Sequence, residues 1–260
     1  MKKLITPFSR SKSAVLLVLV AAGISMTVPA CKKDDKVTVN AVSEEEVSKV
    51  VTDAITSPQG GLMLQTNSAV EIAAGYDQRK GAKVTTEVCG KEFETNVGYA
   101  DSTSNSNLSF DFMLYFTYKL TCTASQEPQK LTFGAAGHSK LESPSFGFSD
   151  TSVANFSISG LEADSALLVF NQNFSRTGKV RFGTGDSARS FISNLSYIAA
   201  DVKVSKETGK IVSGTAAVVI SGASLTGKTF KYAGTITYQG NNKATFAIKG
   251  GGTFQLNWIR

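Results

Sequence analysis

Histidine and tryptophan each occur once in the 260 residues, cysteine three times and proline five times. With His138 as the sole imidazole, any serine or cysteine hydrolase of the usual kind would have to use it as its base. Three cysteines do not make a structural zinc site, which takes four ligands at short paired spacings. No Asp-x-Asp-x-Asp-Gly loop occurs, so calcium binding of that type has no support. Charged residues make up only 18% of the chain, and no cluster of Lys and Arg provides the basic face that nucleic acid requires. In place of these, glycine is plentiful and Ser, Thr and Asn are dense, a mixture that suits short strands joined by tight turns.

One long uncharged apolar run is present, at residues 14–28, preceded by Lys2, Lys3, Arg10 and Lys12. That is the pattern of an export leader, and it is short of the roughly 20 apolar residues a bilayer-spanning helix needs. The run ends in Val28-Pro29-Ala30-Cys31, which resembles a bacterial lipobox. The resemblance implies cleavage after residue 30 and acylation of Cys31 with fatty chains such as palmitate. Lys32, Lys33, Asp34, Asp35 and Lys36 follow, and this run resembles the export signal of surface-exposed outer-membrane lipoproteins of the Bacteroidota. The plainer reading of the same charges is a solvated tether. The family resemblance implies an outer-membrane lipid anchor facing the medium. One acyl chain alone binds only marginally at about 0.8 kcal/mol per CH₂, and such lipoproteins carry two or three. Beyond residue 30 the chain holds 23 basic and 21 acidic residues, a net +2, so its high isoelectric point stems largely from the leader.

With Cys31 assigned to lipid, Cys89 and Cys122 remain as an even pair. An oxidising compartment favours a disulfide between them over two buried thiols. Residues 31–42 read as a tether and 43–80 as a helical segment. Ser43-Glu44-Glu45-Glu46 has the form of a capping box, and Val47, Val50, Val51, Ala54 and Ile55 follow as one apolar stripe. Ser57 and Pro58 are placed to close that helix and open a second, over 62–74. From residue 81 the period changes to two. Over 108–123, Phe110, Phe112, Leu114, Phe116, Tyr118, Leu120 and Cys122 share one face, read as core rather than as a carbohydrate platform. Met113 and Tyr115, on the other face, are the candidate ligand-facing residues. Further strands are predicted at 153–159, 166–174, 179–182, 196–205, 210–221, 229–238, 243–249 and 253–258.

Several motifs invite a chemical reading. Residues 222–229, Gly-Ala-Ser-Leu-Thr-Gly-Lys-Thr, match the phosphate-binding loop pattern, which needs a helix directly after it. Strand residues follow instead, so a hairpin turn is predicted and no nucleotide is expected. His138 lies among glycines and is read as an exposed loop residue. Glu92 with Glu94, and Glu162 with Asp164, are the carboxylate pairs a glycosidase would use; solvated acids at strand ends are the alternative. Asp101-Ser102-Thr103, Asp164-Ser165-Ala166 and Asp186-Ser187-Ala188 resemble acceptor sites for O-glycosylation in exported Bacteroidota proteins.

The chain is therefore expected to be mainly β: an antiparallel β-sandwich or curved open sheet of hairpins over 81–260, with one or two short helices after a lipid tether. The resemblance to uncharacterised surface lipoproteins brings no activity with it. The leading expectation is a non-catalytic protein, without cofactor or metal, that binds a glycan, a protein or an envelope partner. A surface glycoside hydrolase and a structural subunit of an outer-membrane complex are the alternatives.

Overall fold

The computed structural model describes residues 42–77, 87–103 and 107–258; Cys31, Lys32, Lys33, Asp34 and Asp35 lie outside the described residues. Helix α1 (Glu44–Thr56) forms where the capping box predicts it. The Ser43 hydroxyl accepts from the Glu46 amide at 3.3 Å, and the Glu46 carboxylate accepts from the Ser43 amide at 3.0 Å. Val47, Val50, Val51, Ala54 and Ile55 are all buried, as the stripe predicts.

Helix α2 (Leu62–Ala74) also occupies the predicted residues, but Ser57 and Pro58 do not open it. The Ser57 hydroxyl accepts from the Gln59 amide at 3.2 Å, forming a local turn. Gly60 then takes a φ of 93°, which reverses the chain, and Gly61 is the N-cap. Side-chain capping of a nearby backbone amide competes with helix continuation, so a tight turn separates the two helices.

Ten strands follow: β1 (Glu92–Thr103), β2 (Leu108–Cys122), β3 (Pro128–Glu142), β4 (Phe146–Ser159), β5 (Leu167–Phe182), β6 (Arg189–Ser205), β7 (Ile211–Ser224), β8 (Thr229–Gly240), β9 (Lys243–Ile248) and β10 (Thr253–Asn257). Each pairs antiparallel with its chain neighbour, so the sheet runs in chain order with β1 and β10 as its edges. Among the described residues this is one open antiparallel sheet, the second of the two expected forms. The reason is that each central strand has a single buried face, and the two helices cover it. β4 buries Phe148, Ala154, Phe156 and Ile158 in alternation. Across strands β2 to β5 the rings of Phe116, Phe133, Phe156 and Phe170 touch in series, at 5.2, 5.4 and 6.3 Å between centroids.

Polar groups fix the helices to the sheet. Gln65 donates to the Gly60 carbonyl at 3.0 Å and to Ser152 at 3.3 Å. Gln172 donates to Thr66 at 3.0 Å and accepts from Tyr197, whose hydroxyl also meets that of Tyr238 at 2.8 Å. Burial pushes both tyrosines well above their ordinary value, so they stay neutral. Beyond α2, Lys206 donates to Asp77 at 3.2 Å and to the Glu162 carbonyl at 2.7 Å. At the near end of α1, Tyr232 donates to the Val42 carbonyl at 2.7 Å.

Cys89 and Cys122 form a disulfide with a sequence separation of 33. It ties the residues entering β1 to the end of β2, the outermost pair of the sheet. Replacing both by alanine is expected to lower stability by about 3 kcal/mol, read as a lower urea midpoint with a larger m value, because the unfolded chain expands. An unchanged midpoint would mean that the bridge does not restrict the unfolded chain.

Candidate functional site

The stripe of α1 opposite its buried face carries Lys49, Thr52, Asp53 and Thr56. These residues form the floor of a groove of about 510 Å³, within the roughly 300–1,000 Å³ typical of ligand pockets. One wall is Phe146, at the start of β4. The other is Asn257 and Trp258, at the end of β10, and the turn residues Ser57 and Gln59 close one end. Laid flat, strands β4 and β10 would stand about 29 Å apart at 4.8 Å per strand. That both line one groove this small shows the sheet curled around α1.

Each wall is braced from behind. The Lys49 ammonium lies 4.5 Å from the centre of the Phe146 ring and 5.5 Å from that of Phe182. Trp258 packs edge-on against Tyr238 at 6.0 Å. Phe146 and Trp258 each keep 9% of their surface exposed, so they offer ring edges rather than open platforms.

Beneath the groove sits a buried cluster of one cation and two carboxylates. Arg176, on β5, reaches Asp53 of α1 at 2.8 Å with one nitrogen and Asp150 of β4 at 2.5 Å with the other. Its guanidinium also lies 4.4 Å from the Phe148 ring centre. Two carboxylates share one cation in a nearly dry place. Burial therefore raises the pKa of Asp53, against the pull of Arg176, and does the same to Asp150. Asp150 Oδ1 is buried without a hydrogen-bond partner. Both carboxylates are committed to the guanidinium, so they hold α1 in place rather than presenting an acid and base pair.

The residues singled out from sequence fall elsewhere. Tyr115 is 60% exposed on the outer face of β2, and Met113 is half-buried beside it, over Gly98 of β1. They lie on the face of the sheet away from α1, and the structure does not bring them to the groove. Glu92 and Glu94 are exposed on the edge strand β1. Glu162 and Asp164 are not on a strand; they belong to the connection between β4 and β5, beside a second, acid-lined hollow. His138 is exposed as expected, but it lies within β3 and not in a loop, 3.8 Å from Asp111. The small residues around it weaken strand propensity, and pairing with β2 and β4 on both sides imposes the strand.

Residues 222–229 are a hairpin between β7 and β8, with no helix after them. Gly222 is bare for packing: a Cβ there would run into the backbone carbonyl of Ile192 and fall 2.8 Å from the Phe230 ring, which crosses β7 to meet Phe191 at 5.3 Å. Of the three acceptor-like serines, Ser102 is exposed at the end of β1. Ser165 and Ser187 donate their hydroxyls to the carbonyls of Leu167 and Thr184, each at 2.7 Å. Compared with known proteins, the chain matches no family model, no curated protein and no solved structure.

Arg176→Met is expected to cost about 3–5 kcal/mol at neutral pH, because it leaves two buried carboxylates without their cation. The sign of the pH dependence follows from the raised carboxyls. A raised folded-state value means the native state holds the proton more tightly than the unfolded chain. The resulting stabilisation is fully present below the ordinary value of 3.8 and is lost as pH rises through the raised values. Arg176 holds both carboxyls down against burial, so its loss raises them further in the variant, and the deficit of the variant should shrink between pH 7 and pH 4 as they take up protons, measured by urea unfolding; a deficit independent of pH would refute the assignment.

Proposed function

We propose that this chain is a lipid-anchored surface protein that binds a glycan in the groove beside α1 and performs no chemistry on it. Acylated Cys31 holds it to the outer membrane, and Lys32, Lys33, Asp34 and Asp35 direct it to the outer face. The observation that carries the binding reading is the composition of the groove. Thr52, Gln59 and Asn257 offer uncharged donors and acceptors between the ring edges of Phe146 and Trp258, while the hydroxyls of Thr56 and Ser57 are spent on the Thr52 carbonyl and on Gln59. A sugar presents hydroxyls around its rim and C–H groups on its faces, which such a lining matches. Asp53 is paired with Arg176, and the charges of Lys49, Arg176, Asp53 and Asp150 sum to zero, so the groove has no net charge to draw in a strongly anionic sugar and suits a neutral one.

Trp258 is the sole tryptophan, which makes intrinsic fluorescence a reporter of this groove alone. Titration with a panel of neutral oligosaccharides is expected to shift its emission saturably without releasing reducing ends. Asn257→Ala should weaken binding about tenfold, the loss of one hydrogen bond of roughly 1.4 kcal/mol. No shift and no heat across the panel would refute glycan binding, and release of reducing ends would favour the hydrolase.

The address is tested separately. On intact cells, external protease should remove the wild-type protein, and a variant lacking Lys33, Asp34 and Asp35 should be protected. Protection of the wild type would refute the surface assignment and direct attention to partners inside the envelope.

A further inference from the structure

The two edges of the sheet differ. β10 has five residues and lies against α1. β1 has twelve, paired to β2 in an unbroken register from Glu92 opposite Lys119 to Thr103 opposite Leu108. On its other side, among the described residues, no strand pairs with it. From Glu92 to Ser102 not one β1 residue is buried. A long, regular strand with so little packing is held by its single ladder and by the Cys89–Cys122 bridge at its entrance.

Unpaired strand edges recruit other strands, and proteins commonly blunt them. The two sides of β1 carry different chemistry. Toward the helix side it shows Phe93, stacked on Tyr118 at 5.4 Å, then Val97, and then Tyr99 against Phe110 at 5.6 Å. Tyr99 keeps 57% of its surface exposed. Toward the outer side it shows Glu92 and Glu94. Lys119 stands opposite Glu92, and Lys91, just before the strand, lies 5.3 Å over the Phe93 ring, but Glu94 and Asp101 face Thr117 and Phe110, so acid still exceeds base along the edge. The strand itself contains no Lys or Arg. Pairing of the whole of β1 with a second copy of itself would therefore gather six carboxylates, and Lys91 would meet an acid of the partner only in a staggered register of a few residues.

We propose that the free edge of β1 is a docking site for an extended segment of another protein, added as an eleventh strand, in which apolar residues alternate with Lys or Arg. The backbone of β1 supplies hydrogen bonds along the segment. The apolar positions cover Phe93, Val97 and Tyr99, and the cationic positions meet Glu92 and Glu94. The carboxylates that oppose self-association are the same groups that select the partner. The bridge holds the edge ready, which limits the ordering cost of binding. This site is separate from the groove and does not rest on the glycan reading.

The test is hydrogen exchange on the full chain, extracted in detergent, with a capped peptide of about ten residues alternating Lys and Val. A Glu–Val peptide of equal length is the control. Amides of β1 are expected to exchange about tenfold more slowly with the Lys–Val peptide, a gain of roughly 1.4 kcal/mol in local opening. The Glu–Val peptide should leave them unchanged. Glu92→Lys with Glu94→Lys should weaken the Lys–Val peptide about tenfold. Should that pair fail to fold, Glu94→Gln alone, which removes one of the two charges on that face and keeps the shape of the side chain, should weaken it in the same direction. Unchanged β1 exchange, equal protection by both peptides, equal affinity in the charge variants, or protection by dimerisation without peptide would each overturn the proposal.

Discussion

A single sheet that curls has a hollow side, and something must fill it and stay put. Here α1 fills it, and Arg176 keeps it there. The guanidinium reaches a carboxylate on the helix and another on the neighbouring strand, so one side chain fixes the rotation of α1 about its axis and its depth in the hollow. Rotation is the critical variable. It sends the valine stripe inward, and it leaves Lys49, Thr52 and Thr56 to form the floor of an open channel. Buried ion pairs add little net stability compared with apolar packing. Their value here lies in direction, because apolar surfaces tolerate sliding and a forked cation between two acids does not.

The same logic recurs along the helical segment. Gln65 and Thr66 each meet a particular strand residue, Asp77 meets Lys206 just past the end of β6, and Glu46 meets Arg189 at 2.6 Å. Apolar side chains fill the space between these contacts, as the phenylalanine row across β2 to β5 does. The helices are thus packed by hydrocarbon and registered by polar atoms. A half-satisfied polar network costs stability, and a complete one defines a single arrangement; the lone oxygens of Gln65 and Asp150 are the places where this one stays incomplete.

Much of this was legible in the residues. The capping box and the valine stripe locate α1, and the alternation in β2 separates its core face from its outer face. The turn at Asn241 and Asn242, both with positive φ, is the kind of tight hairpin connection their residue types announce. Other parts were hidden for physical reasons. β3 looks like a loop because its glycines and alanines have low strand propensity, and two flanking ladders override that. From Glu92 to Ser102, β1 has no buried residue to give it a pattern. The groove was harder still, since Lys49 and Trp258 are 209 positions apart and only the curl of the sheet joins them. Arg176 did carry a signal: it sits in phase with Phe170, Phe174 and Val180, where a charge must find a partner. Its two partners, on a helix and on another strand, follow only from the assembled structure.

Because every strand pairs with the one before it, the sheet can grow in the order in which the chain is made, closing only short loops at each step. The helix in its hollow does not share that economy. Glu44 accepts a hydrogen bond from the Gly252 amide at 2.8 Å, across 208 residues. The first described element in chain order is therefore among the last to be seated, since its capping end waits for the final hairpin. Until that hairpin arrives the hollow face lies open, and the apolar row within it stays exposed until the C-terminal strands complete the enclosure.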